Sequence, residues 1–475
     1  MKQNYKKLAT DVGVLAISSF STKLLSFLLV PLYTAVLSTS DYGTYDIVVT
    51  TISLLLPIVT LDITDAVVRF TLDEKCNNAD VFSCALKVTV IGLSVVSIII
   101  LGLRCLFDIE IVDNWGLFFV LMATANAIQG ILSNFVRGLN RVKSIAISGL
   151  IGTATMLTLN ILFLLYFKIG LTGYFMANIL STTIQIIYLA CVVDIKKYVK
   201  FKANNSAVQK AMIHYSLPMV VSGVSWWINS ASDRYFVSAL CGLNENGVYA
   251  VGSKIPQILN VVQSIFSQAW ILSAVGNFDK KDSNGFFSKM YNLYMAVLMM
   301  GCSLIITFDK LLASVLYAKN FYSAWKYVPY LTIAVVFGAI SGYTDGIFEA
   351  VKDTRSPAKV TAIGAFINII LNFILILKFS ALGAAIATAV SYFSVWILRM
   401  KGLKKHISLH TNQKRDMMAI VVIAIQSVFL LFENVDIQIQ YTVQALLTVT
   451  IFALYRSNII QIIDVMIRNA KKRSH

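Results

Sequence analysis

Charged residues are scarce in this chain. Asp, Glu, Lys and Arg make up 13% of its 475 residues, whereas about 25% is usual for a soluble domain. Hydrophobic residues make up 57%, and the mean hydropathy is +0.73. These values exclude a soluble globular domain and predict a chain that resides in a bilayer.

Several functional features are also missing. The chain has no Gly-rich phosphate-binding loop, so direct ATP hydrolysis has no support. The six cysteines lie in or beside apolar stretches, apart from Cys76, and their spacing fits neither a disulfide framework nor a metal site. A membrane polymerase would usually carry a sizeable outer loop with acidic or arginine catalytic groups, and none is present. We therefore expect no enzyme activity, no cofactor and no metal.

Long apolar stretches are what the chain does contain. A helix needs roughly 20 apolar residues to span a bilayer, and fourteen stretches of about this length can be delimited. We predict spans near residues 11–37, 44–65, 82–107, 115–136, 145–167, 172–193, 214–240, 247–274, 287–307, 328–350, 357–377, 381–398, 416–432 and 439–455. The first stretch has no clear small-residue cleavage site, so we interpret it as a retained helix. The expected fold class is an all-α integral membrane protein.

The positive charges indicate the orientation of these spans. If the N-terminus is inside, the inner segments carry 30 of the 40 Lys and Arg residues and the outer segments carry 6. Cytoplasmic loops are enriched in Lys and Arg, so we predict that both termini are cytoplasmic. The net charge of +16 is spread over short loops, which disfavours a nucleic-acid-binding surface.

The chain also repeats itself. Residues 37–46 align with residues 241–250: in both copies an apolar helix ends, an acidic residue (Asp41, Glu245) and a Gly-x-Tyr follow, and a new helix begins. The offset is 204 residues, and we expect the two acidic residues to serve a turn or a helix cap. Weak internal symmetry of this kind is typical of transporters whose substrate site lies between two repeats near the bilayer midplane.

Two basic connections divide the predicted spans into groups. They predict a lobe of six helices at 1–203, a second lobe of six at 204–408, and two further helices at 409–475. Because six is an even number, both lobes begin on the same side of the membrane. The repeats are therefore parallel and related by an axis along the membrane normal.

Three cations inside predicted spans are candidates for substrate binding: Lys23, Arg234 and Lys254. A charge near the bilayer centre costs at least about 2.5 kcal/mol and is a functional hypothesis by default. Through the repeat offset, Lys23 and Arg234 fall on nearly the same face of equivalent helices, and Lys254 precedes Pro256, which can kink the eighth span. We predict a cationic central cavity; the alternatives are that Arg234 pairs with Asp233 and that Lys254 extends to the membrane surface.

Carboxylates crowd the predicted inner ends of two spans. Asp62 and Asp65 lie at the end of the second span, and Asp345 and Glu349 at the end of the tenth. Together with Asp233, they are candidates for a gate or for a site that binds a coupling cation. The competing interpretation is a salt-bridged helix end that faces the cytoplasm.

Four short segments resemble a known family. They are Phe-Leu-Leu-Val-Pro-Leu-Tyr at 27–33, Ser-Asp-Tyr-Gly at 40–43, Leu-Leu-Pro at 55–57 and Ala-Val-Val-Arg-Phe at 66–70. This opening resembles that of Wzx-type polysaccharide repeat-unit flippases, which belong to the multidrug/oligosaccharidyl-lipid/polysaccharide exporter (MOP) superfamily. The similarity extends over nearly the whole chain and implies a MATE-like fold with two six-helix lobes and two terminal helices.

The resemblance also implies a function. A flippase of this type would move an undecaprenyl-diphosphate-linked oligosaccharide from the cytoplasmic to the outer leaflet of the bacterial inner membrane, for O-antigen, capsule or exopolysaccharide synthesis. Lys23, Arg234 and Lys254 would then face the diphosphate. Its expected partners are this substrate and membrane lipid, with a polysaccharide polymerase and a chain-length regulator as further candidates and no nucleic acid.

Other functions stay open at this point. A peptidoglycan lipid-precursor flippase and a cation-coupled drug exporter would share the fold, and a membrane polysaccharide polymerase is the alternative from another class. Family members that flip the peptidoglycan precursor usually carry more cavity arginines in their first helices, and a cationic cavity would repel the organic cations typical of drug exporters.

Overall fold

The computed structural model describes residues 27–200, 206–276, 278–353, 355–458 and 460, and its regular secondary structure there is entirely helical. The α-helices are α1 (Val30–Val36), α2 (Thr39–Val59), α3 (Ile63–Thr71), α4 (Asn78–Leu106), α5 (Glu110–Gly138), α6 (Val142–Asn160), α7 (Gly170–Val193), α8 (Ser206–Cys241), α9 (Leu243–Gly252), α10 (Gln257–Gly276), α11 (Phe286–Thr307), α12 (Asp309–Leu316), α13 (Val328–Ala350), α14 (Arg355–Leu403), α15 (Gln413–Leu430) and α16 (Ile437–Leu454). A π-helical stretch, Ile161–Tyr166, extends α6, and two 3-10 segments lie at Ile195–Lys197 and Lys319–Lys326.

Nine helical segments in the described part of the chain are long and apolar enough to cross a membrane by length and composition. One of them, α14, runs for 49 residues and bends at Ser380, whose φ of 51° and ψ of −141° are not helical. Its two halves coincide with the predicted eleventh and twelfth spans. The all-α membrane protein predicted from the sequence is confirmed, and the number of fourteen spans stays a prediction.

The second predicted span, 44–65, is divided in the structure. Helix α2 ends at Val59 and α3 begins at Ile63, and the residues between them include Leu61 and Asp62 with left-handed φ values of 52° and 49°. Pro57 lies inside α2 just before this break. Because proline has no N–H to donate, it weakens the helix at this point.

The eighth predicted span, 247–274, is divided as well. Helix α9 ends at Gly252 and α10 begins at Gln257. Lys254 and Pro256 occupy the turn between them. The kink expected at Pro256 is therefore a complete interruption of the helix.

The chain forms two compact units. The first contains residues up to Ser238 together with Gly242–Gly247, and the second contains Ala239–Cys241 and the chain from Val248 onward. In the first unit, α3, α4, α5 and α7 share an apolar core that includes Ile63, Phe82, Phe135 and Leu189. The lobe boundaries predicted from the sequence, 1–203, 204–408 and 409–475, stay predictions.

In the second unit, polar side chains join the last two helices to α11. Ser303 Oγ donates to Gln426 Oε1 at 2.9 Å, Gln426 Nε2 donates to Thr448 Oγ1 at 3.0 Å, and all three residues are buried. Gln444 Nε2 adds a hydrogen bond to the Gln426 carbonyl at 2.9 Å. Lipid tails give no hydrophobic drive for helix association, so such bonds help to hold a membrane bundle together. Helices α15 and α16 are thereby fixed to α11.

Candidate functional site

The first Gly-x-Tyr segment begins α2 with a capping box. Ser38 Oγ accepts the Asp41 backbone N–H at 3.0 Å, and the Asp41 carboxylate accepts the Ser38 backbone N–H at 3.2 Å. These bonds satisfy N–H groups that a helix start leaves without partners. The capping role predicted for Asp41 is confirmed.

The two copies of the Gly-x-Tyr segment contact each other within the first unit. A Cβ added to Gly43 would lie 2.0 Å from the Leu243 carbonyl oxygen, and one added to Gly247 would lie 1.9 Å from the Thr39 carbonyl oxygen. Real Cβ atoms do not approach backbone atoms this closely. Only glycine at both positions permits this crossing of α2 and α9.

Side-chain hydrogen bonds connect the same crossing. Thr39 Oγ1 donates to Asn244 Oδ1 at 2.9 Å. Asn246 Nδ2 donates to the Gly43 carbonyl at 3.2 Å and also lies 3.5 Å from Asp46 Oδ2. The Asn246 amide thus links the glycine crossing to a carboxylate three residues further along α2.

That carboxylate belongs to the ion pair of Arg234, one of the predicted cavity cations. Arg234 Nε on α8 is 2.8 Å from Asp46 Oδ2, and the two side chains are 17% and 15% exposed. Asp233 is more distant, with its Oδ1 3.9 Å from Arg234 Nη1, and accepts the Arg234 backbone N–H at 3.0 Å. Of these two acids, Asp46 therefore lies nearer to the Arg234 guanidinium than the neighbouring Asp233 does.

Asp46 was missed in the sequence analysis. It directly follows the Gly-x-Tyr segment and lies inside the predicted second span, where an ionisable side chain is a functional hypothesis by default. Its counterpart in the second copy is Ala250. The acidic residue is thus present in only one repeat, and an alignment of the two repeats that looks for shared residues does not find it.

A polar seam continues along α2 and α8 from this pair. Trp227 Nε1 donates to the Thr50 carbonyl at 3.0 Å and contacts Ser53 Oγ at 3.1 Å. The Tyr235 hydroxyl forms a hydrogen bond with Thr51 Oγ1. Helix α8 therefore packs on α2 through polar groups, which can exchange partners with water or with a polar ligand.

The candidates Asp62 and Asp65 lie at the break between α2 and α3. Thr64 Oγ1 donates to Asp62 Oδ1 at 3.4 Å, and a Cβ added to Gly223 of α8 would lie 4.0 Å from Asp62 Oδ2. Asp65 is in the first turn of α3. The structure places both carboxylates beside an interrupted helix, and a gate or cation role for them stays a prediction.

In the second unit, Asp345 of α13 pairs with Arg399 of α14. Arg399 Nη1 donates to Asp345 Oδ1 at 2.6 Å and to the Ser341 carbonyl at 2.9 Å. Its Nη2 donates to Thr361 Oγ1 at 2.9 Å. Arg399 lies in α14 and is 8% exposed. Asp345 is thus salt-bridged in the structure, and a gate or cation role for it and for Glu349 stays a prediction.

An open pocket of about 390 Å³ adjoins this pair. It is lined by Gln263, Ser267, Gly342, Asp345, Phe348, Glu349, Asp353 and Pro357. Gly342 faces the Gln263 amide: a Cβ added to Gly342 would lie 3.5 Å from Gln263 Nε2. Carboxylate, amide and hydroxyl groups beside an aromatic ring can accept a cation or a group rich in hydroxyls.

Asp353 borders the same pocket from the connection between α13 and α14. Its carboxylate accepts the Ser356 hydroxyl at 2.6 Å and the Ser356 backbone N–H at 3.0 Å, and it contacts His406 Nε2 at 3.2 Å. These hydrogen bonds hold the pKa of Asp353 below its usual value.

Within the described residues, no group of three His, Cys, Asp or Glu side chains is arranged to hold a metal ion.

The other predicted cations are placed as follows. Lys254 is half-buried in the turn between α9 and α10 and belongs to the second unit, whereas Arg234 belongs to the first. Lys23 lies outside the described residues. A cationic cavity formed by these three residues therefore stays a prediction.

Comparison with known proteins gives two family matches. The family described as polysaccharide biosynthesis protein matches residues 8–271. The family described as lipid II flippase MurJ matches residues 333–452. Together the two matches cover most of both predicted lobes.

Two curated relatives match parts of the chain. A probable low-salt glycan biosynthesis flippase, Agl15 of Haloferax volcanii, is 22% identical over 207 residues, which is 42% of this chain and 43% of that protein. An uncharacterized membrane protein of Methanocaldococcus jannaschii is 26% identical over 131 residues, which is 27% of this chain and 26% of that protein. The alignments thus span less than half of either relative.

Solved structures show the same fold. Lipid II flippase MurJ in an inward closed conformation superposes with a TM-score of 0.68 at 14% identity, covering 95% of this chain and 99% of MurJ. An inward-facing multidrug resistance MATE family transporter of the MOP superfamily gives a TM-score of 0.64 at 15% identity, covering 83% of this chain and 100% of the transporter. At these identities the likeness establishes the fold alone, and it confirms the predicted MATE-like architecture.

Proposed function

We propose, on the premise that this chain belongs to the polysaccharide biosynthesis protein family, that it is a flippase for a lipid-linked glycan. The substrate we propose is an undecaprenyl-diphosphate-linked oligosaccharide, carried across the bacterial cytoplasmic membrane for a surface polymer such as O-antigen, capsule or exopolysaccharide. Both termini would face the cytoplasm. A polymerase and a chain-length regulator would act on the product.

The observation that carries this proposal is the position of Arg234. It is a cation in a membrane helix, 17% exposed, and its partner Asp46 is on a neighbouring helix. A diphosphate cannot cross hydrocarbon unaided, and a planar guanidinium can bind phosphate oxygens through two charge-assisted hydrogen bonds. Lys23 and Lys254 would add positive charge to the same substrate group.

The other parts of the substrate would be accommodated elsewhere. The pocket beside Asp345 and Glu349 offers acceptors for sugar hydroxyls, and the polyprenyl tail would stay in lipid. Helices α15 and α16, which are fixed to α11, would flank the tail. Transport would proceed by alternating access between the two repeats, with Asp62, Asp65, Asp233, Asp345 and Glu349 as candidates for gating or for binding a coupling cation.

A second candidate substrate is the peptidoglycan lipid precursor. The match of residues 333–452 to the lipid II flippase family favours it. The two substrates share a polyprenyl-diphosphate carrier and differ in the attached group. The lipid that accumulates when transport stops therefore distinguishes them.

The test is a deletion of the gene in its host, followed by lipid extraction, mass spectrometry and leaflet-selective labelling. We expect completed lipid-linked oligosaccharides to be trapped on the cytoplasmic leaflet and the surface polymer to be lost. Accumulation of lipid II would instead favour the second candidate. Normal delivery of both lipids to the outer leaflet would contradict a flippase and favour a polymerase, a scaffold or a drug exporter.

Complementation then tests the binding residues. Arg234→Ala and Lys23→Ala should fail to restore the surface polymer although the protein reaches the membrane in normal amounts. Arg104→Ala, which removes an exposed arginine in the last turn of α4, is the matched control and should complement fully. Full activity of the first two variants would remove these residues from the mechanism.

A further inference from the structure

The ion pair of Arg234 and the glycine crossing occupy one place in the structure. Asp46 follows Gly43 by three residues on α2, and the Asn246 side chain lies 3.2 Å from the Gly43 carbonyl and 3.5 Å from Asp46 Oδ2. The Asn246 side-chain amide therefore connects the ion pair to the crossing, so that a shift of Asp46 also moves a contact of the crossing.

Hydrogen bonds of polar side chains span the crossing itself. It brings two glycines together, so no side chain of either residue is buried in the contact. Thr39 Oγ1 donates a hydrogen bond to Asn244 Oδ1 across it, and Asn246 Nδ2 donates one to the Gly43 carbonyl. Because the two glycines add no apolar side chain to the contact, these hydrogen bonds and the ion pair beside them contribute to holding it closed.

The charges at this place favour the closed arrangement only while Asp46 is paired. A guanidinium keeps its proton, so Arg234 needs a negative partner whenever it is shielded from water. Asp46 at 2.8 Å and Asp233 at 3.9 Å provide that charge. A diphosphate that binds Arg234 would have to displace Asp46, whose carboxylate would then need water or another partner.

We propose that Asp46 is a positioning residue that latches the Gly43–Gly247 crossing through Arg234, and that an incoming diphosphate opens the latch by competing for the guanidinium. The crossing lies at the helix ends that are predicted to face outward, so its opening would give the bound lipid headgroup access to the outer side. The identity of the anion depends on the proposed function, whereas the latch itself does not.

The latch is tested by a cross-link across the crossing. Cysteines replace Thr39 and Asn244 in the full chain after the six natural cysteines have been changed to serine, and the purified protein is placed in lipid nanodiscs. A short thiol-reactive cross-linker then reports how often the crossing is closed. Asp46→Asn should slow the cross-link at least fivefold, Asp46→Glu should restore most of the rate, and Asp108→Asn, which changes an exposed acid, should leave it unchanged.

Arg234→Gln breaks the same pair from the other side and should slow the cross-link as much as Asp46→Asn does. Melting temperatures show which variants are folded. One folded variant of the two is enough to test the latch. A folded Asp46→Asn or Arg234→Gln protein that cross-links at the original rate would overturn the latch.

Undecaprenyl diphosphate is the probe for the second half of the proposal. It should slow the cross-link when Asp46 is present, and it should bind Asp46→Asn roughly tenfold more tightly because the nearer of the two competing carboxylates is gone. If the probe leaves the cross-link unchanged while Asp46→Asn slows it, competition by a diphosphate is wrong and the latch stands. The proposed function is then judged separately by the lipids that accumulate in the deletion strain.

Discussion

Gly43 and Gly247 cross in direct backbone contact: a Cβ built on Gly247 would lie 3.0 Å from the Gly43 backbone nitrogen. The two residues are equivalent in the internal repeat and lie 204 positions apart in the chain. The symmetry that is visible in the sequence is thus a physical contact in the structure, where two equivalent helix starts meet.

Alanine at either glycine should separate the two helix starts. The added Cβ would lie 2.0 Å from the Leu243 carbonyl in Gly43→Ala and 1.9 Å from the Thr39 carbonyl in Gly247→Ala. Neither atom belongs to a flexible side chain, so the backbone must shift, at a cost of about 1–3 kcal/mol. We expect a lower melting temperature in detergent. Gly102→Ala is the control, because no atom lies within 4 Å of its Cβ position. It should melt at or above the temperature of the original protein. Equal melting temperatures of all three variants would contradict the tight crossing.

Asp309→Asn should stabilise the protein at neutral pH. Asp309 is 0% exposed, and neither carboxylate oxygen has a hydrogen-bond partner among the described residues. Burial therefore raises the pKa of this carboxyl well above its usual range. A raised pKa in the folded protein means that stability is lost as the pH rises above the ordinary Asp value. The melting temperature of Asp309→Asn should exceed the original at pH 7, and the difference should vanish in acid.

Glu433 gives the control with the opposite sign. Its carboxylate is 2.7 Å from Lys326 Nζ, and this interaction lowers its pKa. The stabilising effect of a lowered pKa is present above the ordinary Glu value and is lost as the pH falls through the lowered pKa. Glu433→Gln should thus melt slightly lower than the original at pH 7 and converge with it in acid. Parallel pH curves for both variants would show that neither carboxyl titrates as described.

Removal of the Arg399 guanidinium should destabilise the second unit. Arg399 donates to Asp345, to the Ser341 carbonyl and to Thr361, and hydrogen bonds to charged groups are worth about 1.5–3 kcal/mol each. We expect Arg399→Met to lower the free energy of unfolding by about the value of one such bond, the one to Asp345. The loss is no larger because Asp345 is 42% exposed, so water can solvate its carboxylate once the guanidinium is gone. A double-mutant cycle with Asp345→Asn measures the pair alone. A coupling energy near zero would exclude the ion pair as a stabilising contact.

Thr448 should matter for the attachment of the last helix, and Thr450 should not. Thr448 is buried and bonds Gln426, Ser303 and Thr307, whereas Thr450 is exposed and donates to the Leu446 carbonyl of its own helix. Hydrogen bonds between membrane helices are worth about 0.6 kcal/mol on average and reach roughly 1.7 kcal/mol. Thr448→Val should lower the free energy of unfolding by an amount in this range, which is measured as a lower melting temperature, and Thr450→Val should leave the melting temperature unchanged. Similar effects of both changes would indicate that the loss arises from helix propensity and not from the buried network.

Most of the helical architecture could be predicted because a bilayer imposes a simple rule on the sequence. A helix that spans the bilayer must be apolar over roughly 20 residues, and local composition reports such segments. The breaks between α2 and α3 and between α9 and α10 were not predicted as interruptions. Proline marks both places, but whether a helix bends or stops there depends on the neighbours that satisfy its backbone groups.

The sequence by itself determined the membrane class, the internal repeat, the capping role of Asp41 and the presence of a cation at Arg234. Each of these follows from local pattern or from composition. Only the tertiary structure decided that Arg234 pairs with Asp46, that Arg399 is buried against Asp345, and that equivalent glycines touch. The physical reason is that the partner of a charge depends on which helices pack side by side, and residues far apart in the chain carry no mutual signal until packing brings them within a few ångströms.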